Sequence, residues 1–138
     1  MNISFILDRE EAINPSEALG DIIITNNQSK IAVNSTYLDS WFAVLINGYE
    51  SLAKNQQITL EIIEEPDLIT FSCTQENEFK ISYGKQEVLF NNLEEFYQSL
   101  IISLREFIKQ FAQENIKIHD YPLFTKINNF LPLKPITI

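Results

Sequence analysis

Cysteine and histidine each occur once, as Cys73 and His119, and glycine occurs only three times in 138 residues. Each shortage excludes something. A lone thiol forms no internal disulfide. One Cys and one His do not complete a four-ligand zinc site without two carboxylates placed to match. Phosphate-cradling loops are missing, because neither G-x-G-x-x-G nor G-x-x-x-x-G-K occurs. There is no G-x-S-x-G nucleophile elbow. No apolar run approaches the 18 residues of a membrane span. The N-terminal "MNISFILDREE" lacks the basic region of a signal peptide, so cytoplasmic residence is expected.

Positive charge is also scarce. Ten Lys and Arg face nineteen Asp and Glu, a net charge of −9. Such a chain is repelled at long range by nucleic acid and anionic membranes, and it attracts a basic protein or a cation. Phe and Tyr are frequent, but without basic residues between them they do not suggest RNA binding. The excess charge is uneven. Residues 1–69 hold eleven acids against Arg9, Lys30 and Lys54, a net of −8, and residues 70–138 account for the remaining −1.

Hydrophobic residues make up 45% of the chain, enough for a core, and the length predicts one domain over 1–138. "ISFIL" (3–7) is β-prone. "DREEAINPSEALGD" (8–21) is broken by Asn14-Pro15 and Gly20 and reads as a loop. "DIIIT" (21–25) and "KIAV" (30–33) flank the turn formers "NNQS" as a hairpin. Leu38, Trp41, Phe42, Leu45, Ile46, Tyr49, Leu52 and Ala53 recur at helical spacing. Thr36 with Asp39 has the form of a capping box, with Asn34 and Ser35 as alternative caps. Gly48 inside this helix costs about 1 kcal/mol relative to Ala and suggests close approach of a neighbouring backbone. A meander follows with a period of two: 58–63, 69–74, 79–83 and 86–90. Gly84 supplies a positive φ at the last hairpin. A second helix spans 92–113, capped by Asn92, with Leu100, Leu104, Phe107 and Phe111 inward. Residues 116–138 form a less regular tail. Within it, 120–131 allows a short helix with Asp120 as cap and Leu123, Ile127 and Phe130 or Leu131 inward. The sum is an α+β fold: an antiparallel sheet of about six or seven strands with two main helices on one face, in the order β-β-β-α-β-β-β-β-α.

One stretch could carry chemistry. "EIIEEPDLITFSC" places Glu61, Glu64, Glu65 and Asp67 around Pro66. Proline at the second position of Glu65-Pro66-Asp67-Leu68 fits a β-turn at a solvated strand edge. A hard-cation site needs about six oxygens in defined geometry, and the spaced ligands of a calcium loop are missing. A partner-contacting acidic patch and a plain solvated turn remain open. Asp8, Glu10, Glu11 and Glu17 extend the patch if the first loop folds beside the turn. Tyr37 and Asp39 lie at the margin of the first helix. Cys73 with His119 and Asp120 holds the materials of a thiol nucleophile, but Cys73 shares the alternation face of Ile69 and Phe71, which suggests core packing. The partner-binding residues are therefore Glu61, Glu64, Glu65, Asp67, Tyr37 and Asp39. No catalytic residue, metal or cofactor is assigned.

"STYLDSWFAVLINGYESL", "EIIEEPDLITF" and "LEEFYQSLIISLREFI" together resemble a group of small, acidic, single-domain bacterial proteins, over residues 21–113. No catalytic residue carries over from that group. In size and charge the chain is also similar to immunity proteins of bacterial toxin systems. That likeness implies a non-enzymatic inhibitor whose acidic surface engages a basic partner. The alternative is a ligand-binding or enzymatic domain with a pocket between helix and sheet, using polar groups such as Tyr49, Tyr83 or His119. Ile63 and the apolar C-terminal "PITI" leave room for a homodimer.

Overall fold

Two antiparallel meanders merge into a single sheet. A computed structural model describes residues 1–9, 14–113 and 121–132. The first meander contains β1 (Asn2–Leu7), β2 (Leu19–Asn26) and β3 (Ser29–Tyr37), and β3 runs straight into α1 (Leu38–Ala53). The second contains β4 (Ile58–Glu61), β5 (Leu68–Gln75), β6 (Glu78–Tyr83) and β7 (Gln86–Phe90), followed by α2 (Leu93–Gln113) and α3 (Pro122–Phe130). The spatial order is β1-β2-β3-β7-β6-β5-β4, with every neighbouring pair antiparallel. The fold is the expected α+β arrangement with the expected element order, to which α3 is added from the C-terminal segment.

The meanders meet at β3 and β7, where only Lys30 and Glu87 pair directly. Side chains supply the bonds that the diverging backbones do not. Ala32 N–H donates to Gln86 Oε1 at 2.8 Å, Asn26 Nδ2 to the Leu89 carbonyl at 2.8 Å, and Leu89 N–H to Ser29 Oγ at 3.2 Å. Backbone donors left unpaired here would each cost a hydrogen bond's worth of free energy. The register also aligns one polar row across all seven described strands: Asn2, Thr25, Lys30, Glu87, Ser82, Thr70 and Thr59. This row lies on the face away from the core.

The other face is apolar and covered by helices. Ile22, Ile24, Ile31, Ile69, Phe71 and Ile81 point inward and are fully buried. From α1, Trp41, Phe42, Leu45 and Ile46 meet them, and from α2 Phe96, Leu100, Leu104, Phe107 and Phe111 do the same. Phe107 packs edge-on or tilted against Phe5, Phe42 and Phe111, with centroids 4.7–5.6 Å apart. The α3 helix adds Phe124 and Ile127 to this core. Ile127 was expected inward and Phe124 was not.

Local details differ from the sequence reading. No side chain caps α1 from within its own segment: its N-cap is Tyr37, and Thr36 instead accepts the Trp41 indole N–H at 2.8 Å. Ser35 sits at φ 51°, and its N–H donates to Asp21 Oδ1 at 2.9 Å. The cap comes from the preceding loop. Leu38 N–H donates to the Ala18 carbonyl at 2.7 Å, and Ala18 N–H donates to Asp39 Oδ1 at 3.0 Å. At α2, Asn92 does cap, its Oδ1 accepting Glu94 N–H at 2.9 Å. Cys73 lies on the core-facing side of β5 but is exposed, with its thiol against the Gln75 carbonyl at 3.2 Å. Asp120, His119 and "PITI" lie outside the described residues.

Candidate functional site

Three segments converge at the N-terminal end of α1. The loop before β2 is held in shape by Asn14, whose Oδ1 accepts both the N–H and the hydroxyl of Ser16, at 3.0 and 2.8 Å. This is the local turn that an Asn side chain favours. The loop then delivers Ala18 to the start of α1, as described above. After β4 the chain turns at 62–65: Glu65 N–H donates to the Ile62 carbonyl at 3.1 Å, with Glu64 at φ 64°. The turn therefore closes three residues earlier than Glu65-Pro66-Asp67-Leu68. It is fastened to α1 by Ile63 N–H, which donates to Ser40 Oγ at 3.0 Å. Ile62 is buried, and the Ile63 side chain is left 60% exposed. The third segment is the start of α3.

Between these segments lies an open cleft of about 490 Å³. Its floor is carbon-rich: Pro15 from the loop, Ala43 and Val44 from α1, Ile63 from the turn, and Tyr121, Pro122 and Leu123 from α3. Its polar lining consists of Ser16, Ser40, Asp39, Glu61 and Lys126. A smaller recess of about 240 Å³ adjoins it, sharing Ser16, Asp39 and Ile63 and adding Glu17, Tyr37 and Glu64. Four carboxylates and one ammonium therefore border the combined surface.

Asp39 is the most constrained of these carboxylates. Burial pushes its pKa above the ordinary value near 3.8, the N–H of Ala18 pulls the other way, and the nearby Glu17 charge adds to the rise. Glu61 and Glu64 are exposed, and neither has a hydrogen-bond or ion-pair partner among the described residues.

The six residues assigned from the sequence thus divide. Asp39 and Glu61, 22 positions apart, line the cleft, and Tyr37 and Glu64 line the recess that shares Asp39 with it. Glu65 and Asp67 do not line it. Glu65 accepts the Tyr83 hydroxyl at 3.0 Å, and Tyr83 in turn packs edge-on against Trp41 with centroids 5.1 Å apart. Burial is the main force raising the Tyr83 pKa, and the Glu65 bond adds to it. Asp67 packs beside Gly84, where a Cβ would fall 2.6 Å from its Oδ2. Glu17 joins the patch as the loop fold required, while Glu10 and Glu11 lie outside the described residues.

Sequence reasoning missed the apolar half of the site and Lys126. The interrupting Asn14-Pro15 pair and the exposed Ile63 were the available signals. Of the tyrosines named for a pocket between helix and sheet, Tyr49 packs against Phe96, Tyr97 and Phe130, and Tyr83 is held by Trp41 and Glu65. Among the described residues, no three His, Cys, Asp or Glu side chains gather as a metal site, and no helix is long and apolar enough to cross a membrane. No family model, no curated protein and no solved structure matches the chain.

Proposed function

We propose that this chain is a non-enzymatic interaction protein that engages a basic partner through the acidic cleft, in the manner of an immunity-type inhibitor. One observation carries the reading: Asp39 and Glu61 line a cleft with an apolar floor, and Tyr37 and Glu64 line the recess that adjoins it. Exposed ion pairs contribute under about 1 kcal/mol each, so a charged surface alone gives speed of encounter rather than tight binding. Affinity needs a desolvated anchor point as well. Here a ring of charge and a carbon-lined recess occupy the same place.

A second reading is favoured by the volume. At about 490 Å³ the cleft falls within the range of small-ligand sites, and its lining is mostly carbon with a few polar groups.

A photo-crosslinking residue placed at Ile63 and, as a control, at the exposed Ile102 of α2 separates the two readings. In native cells the Ile63 position is expected to yield an adduct with a basic protein that high salt suppresses, and the Ile102 position is not. An adduct of twice the chain's mass would point to a homodimer. A small molecule copurifying in the cleft, with no protein adduct, would favour the second reading.

A further inference from the structure

We infer that the cleft is built to receive an arginine side chain of the partner protein. This rests on the interaction reading and narrows the partner's chemistry. Asp39 is a partly buried carboxylate with no ion-pair partner among the described residues, and Glu61 faces the same cleft unpaired. The other polar side chains are engaged: Ser40 accepts a backbone N–H and Ser16 is bound to Asn14. Asp39 accepts the Ala18 N–H, but its charge, like that of Glu61, has no counter-ion among the described residues other than Lys126 in the same lining, which also includes Val44, Ile63 and Tyr121.

An inorganic divalent cation does not fit this pattern, because the described residues bring no three ligands together and such an ion would leave the carbon lining unused. A partner's arginine uses both halves. Its aliphatic stem covers apolar surface while the charged head stays at the carboxylates. The guanidinium is more weakly hydrated than a lysine ammonium, so it is more easily desolvated, and it stacks on aromatic faces such as Tyr121. Lys126 opposes the arrival of a cation, so its removal should strengthen binding.

The test uses the blocked tripeptide acetyl-Leu-Arg-Leu-amide and its citrulline counterpart, which keeps the shape and lacks the charge. Each is titrated into the isotopically labelled protein while backbone amide shifts are followed. The arginine peptide is expected to shift the amides of Val44 and Ile63 and to bind about tenfold or more tightly than the citrulline peptide, as a charge-assisted contact implies. Glu61→Gln, an exposed and unpaired position, should weaken the arginine peptide severalfold and leave the citrulline peptide unchanged. Lys126→Gln should tighten the arginine peptide. Equal binding of the two peptides would overturn the inference, as would shifts remote from the cleft or no shifts at all. Such a failure is distinguishable from failure of the interaction reading, which the Ile63 crosslink tests without reference to arginine.

Discussion

Gly48 of α1 faces the ring of Phe71 on β5 so closely that a Cβ there would fall 2.5 Å from Phe71 Cδ1. The sequence pattern suggested close approach of a neighbouring backbone, but the neighbour is a fully buried aromatic ring. Glycine weakens a helix by about 1 kcal/mol relative to alanine, and here that weakness lets α1 seat on the sheet. Gly48→Ala is therefore expected to destabilise the protein despite the better helix former. Overpacking costs typically about 1–3 kcal/mol, which outweighs the gain. Urea unfolding of Gly48→Ala, Phe71→Leu and the double variant would measure it. The double variant should be more stable than the sum of the single losses predicts, because the smaller side chain makes room.

Asp39 carries a signature that depends on pH. Its folded-state pKa is raised, so the folded protein favours the protonated carboxyl. The contribution of that group is fully present below the unfolded value near 3.8 and is lost as pH rises through the folded value. At neutral pH the ionised carboxylate therefore lowers stability. Asp39→Asn keeps an oxygen to accept the Ala18 N–H and removes the charge. The variant should unfold at a higher temperature than the wild type at neutral pH, and the difference should vanish as pH falls below 3.8.

Two positions one residue apart on α2 should respond in opposite directions. Leu104 is fully buried, and Leu104→Ala should cost roughly 2–5 kcal/mol, as loss of a core leucine does. Ser103 is 3% exposed, and its Oγ has no hydrogen-bond partner among the described residues. An unsatisfied buried hydroxyl costs about 1–3 kcal/mol, and alanine is also the better helix former. Ser103→Ala should raise the urea midpoint without changing the slope of the transition.

Cys73 should label rapidly with a polar thiol reagent in the native protein. It is exposed although its strand neighbours Ile69 and Phe71 are fully buried. Native labelling as slow as that of a core thiol, speeding up only on unfolding, would contradict the exposed position.

Cys73 also shows which features the sequence made legible. Alternation gives the face on which a residue lies, and Cys73 is on the predicted face of β5. It does not say how far the helices cover that face, and near the end of β5 they do not cover it. Periodicity alone located α2, because its stripe and the Asn92 cap are local. The cap of α1 was not legible, since it is made by Ala18, twenty residues before Leu38. The cleft was half legible for the same reason. Its carboxylates stood out as charge, but the recess exists only because the 14–18 loop, the 62–65 turn and α3 meet in space. Glu65 looked identical to its neighbours in the sequence, and only the fold shows it tied to Tyr83.

The central claim is that charge at the cleft drives association with a basic partner. The most direct test is the association rate of the crosslinked partner, once purified, with wild-type protein and with Glu61→Lys/Glu64→Lys across a range of salt concentrations. Steering predicts a rate that falls steeply as salt rises, and about tenfold or more slower association of the reversed variant at low salt. Both positions are exposed and unpaired, so stability should stay within about 0.5 kcal/mol of wild type. Glu65→Lys, by contrast, should lower stability by removing the acceptor of the Tyr83 hydroxyl. An association rate that is flat in salt and unchanged by reversing Glu61 and Glu64 would contradict the account.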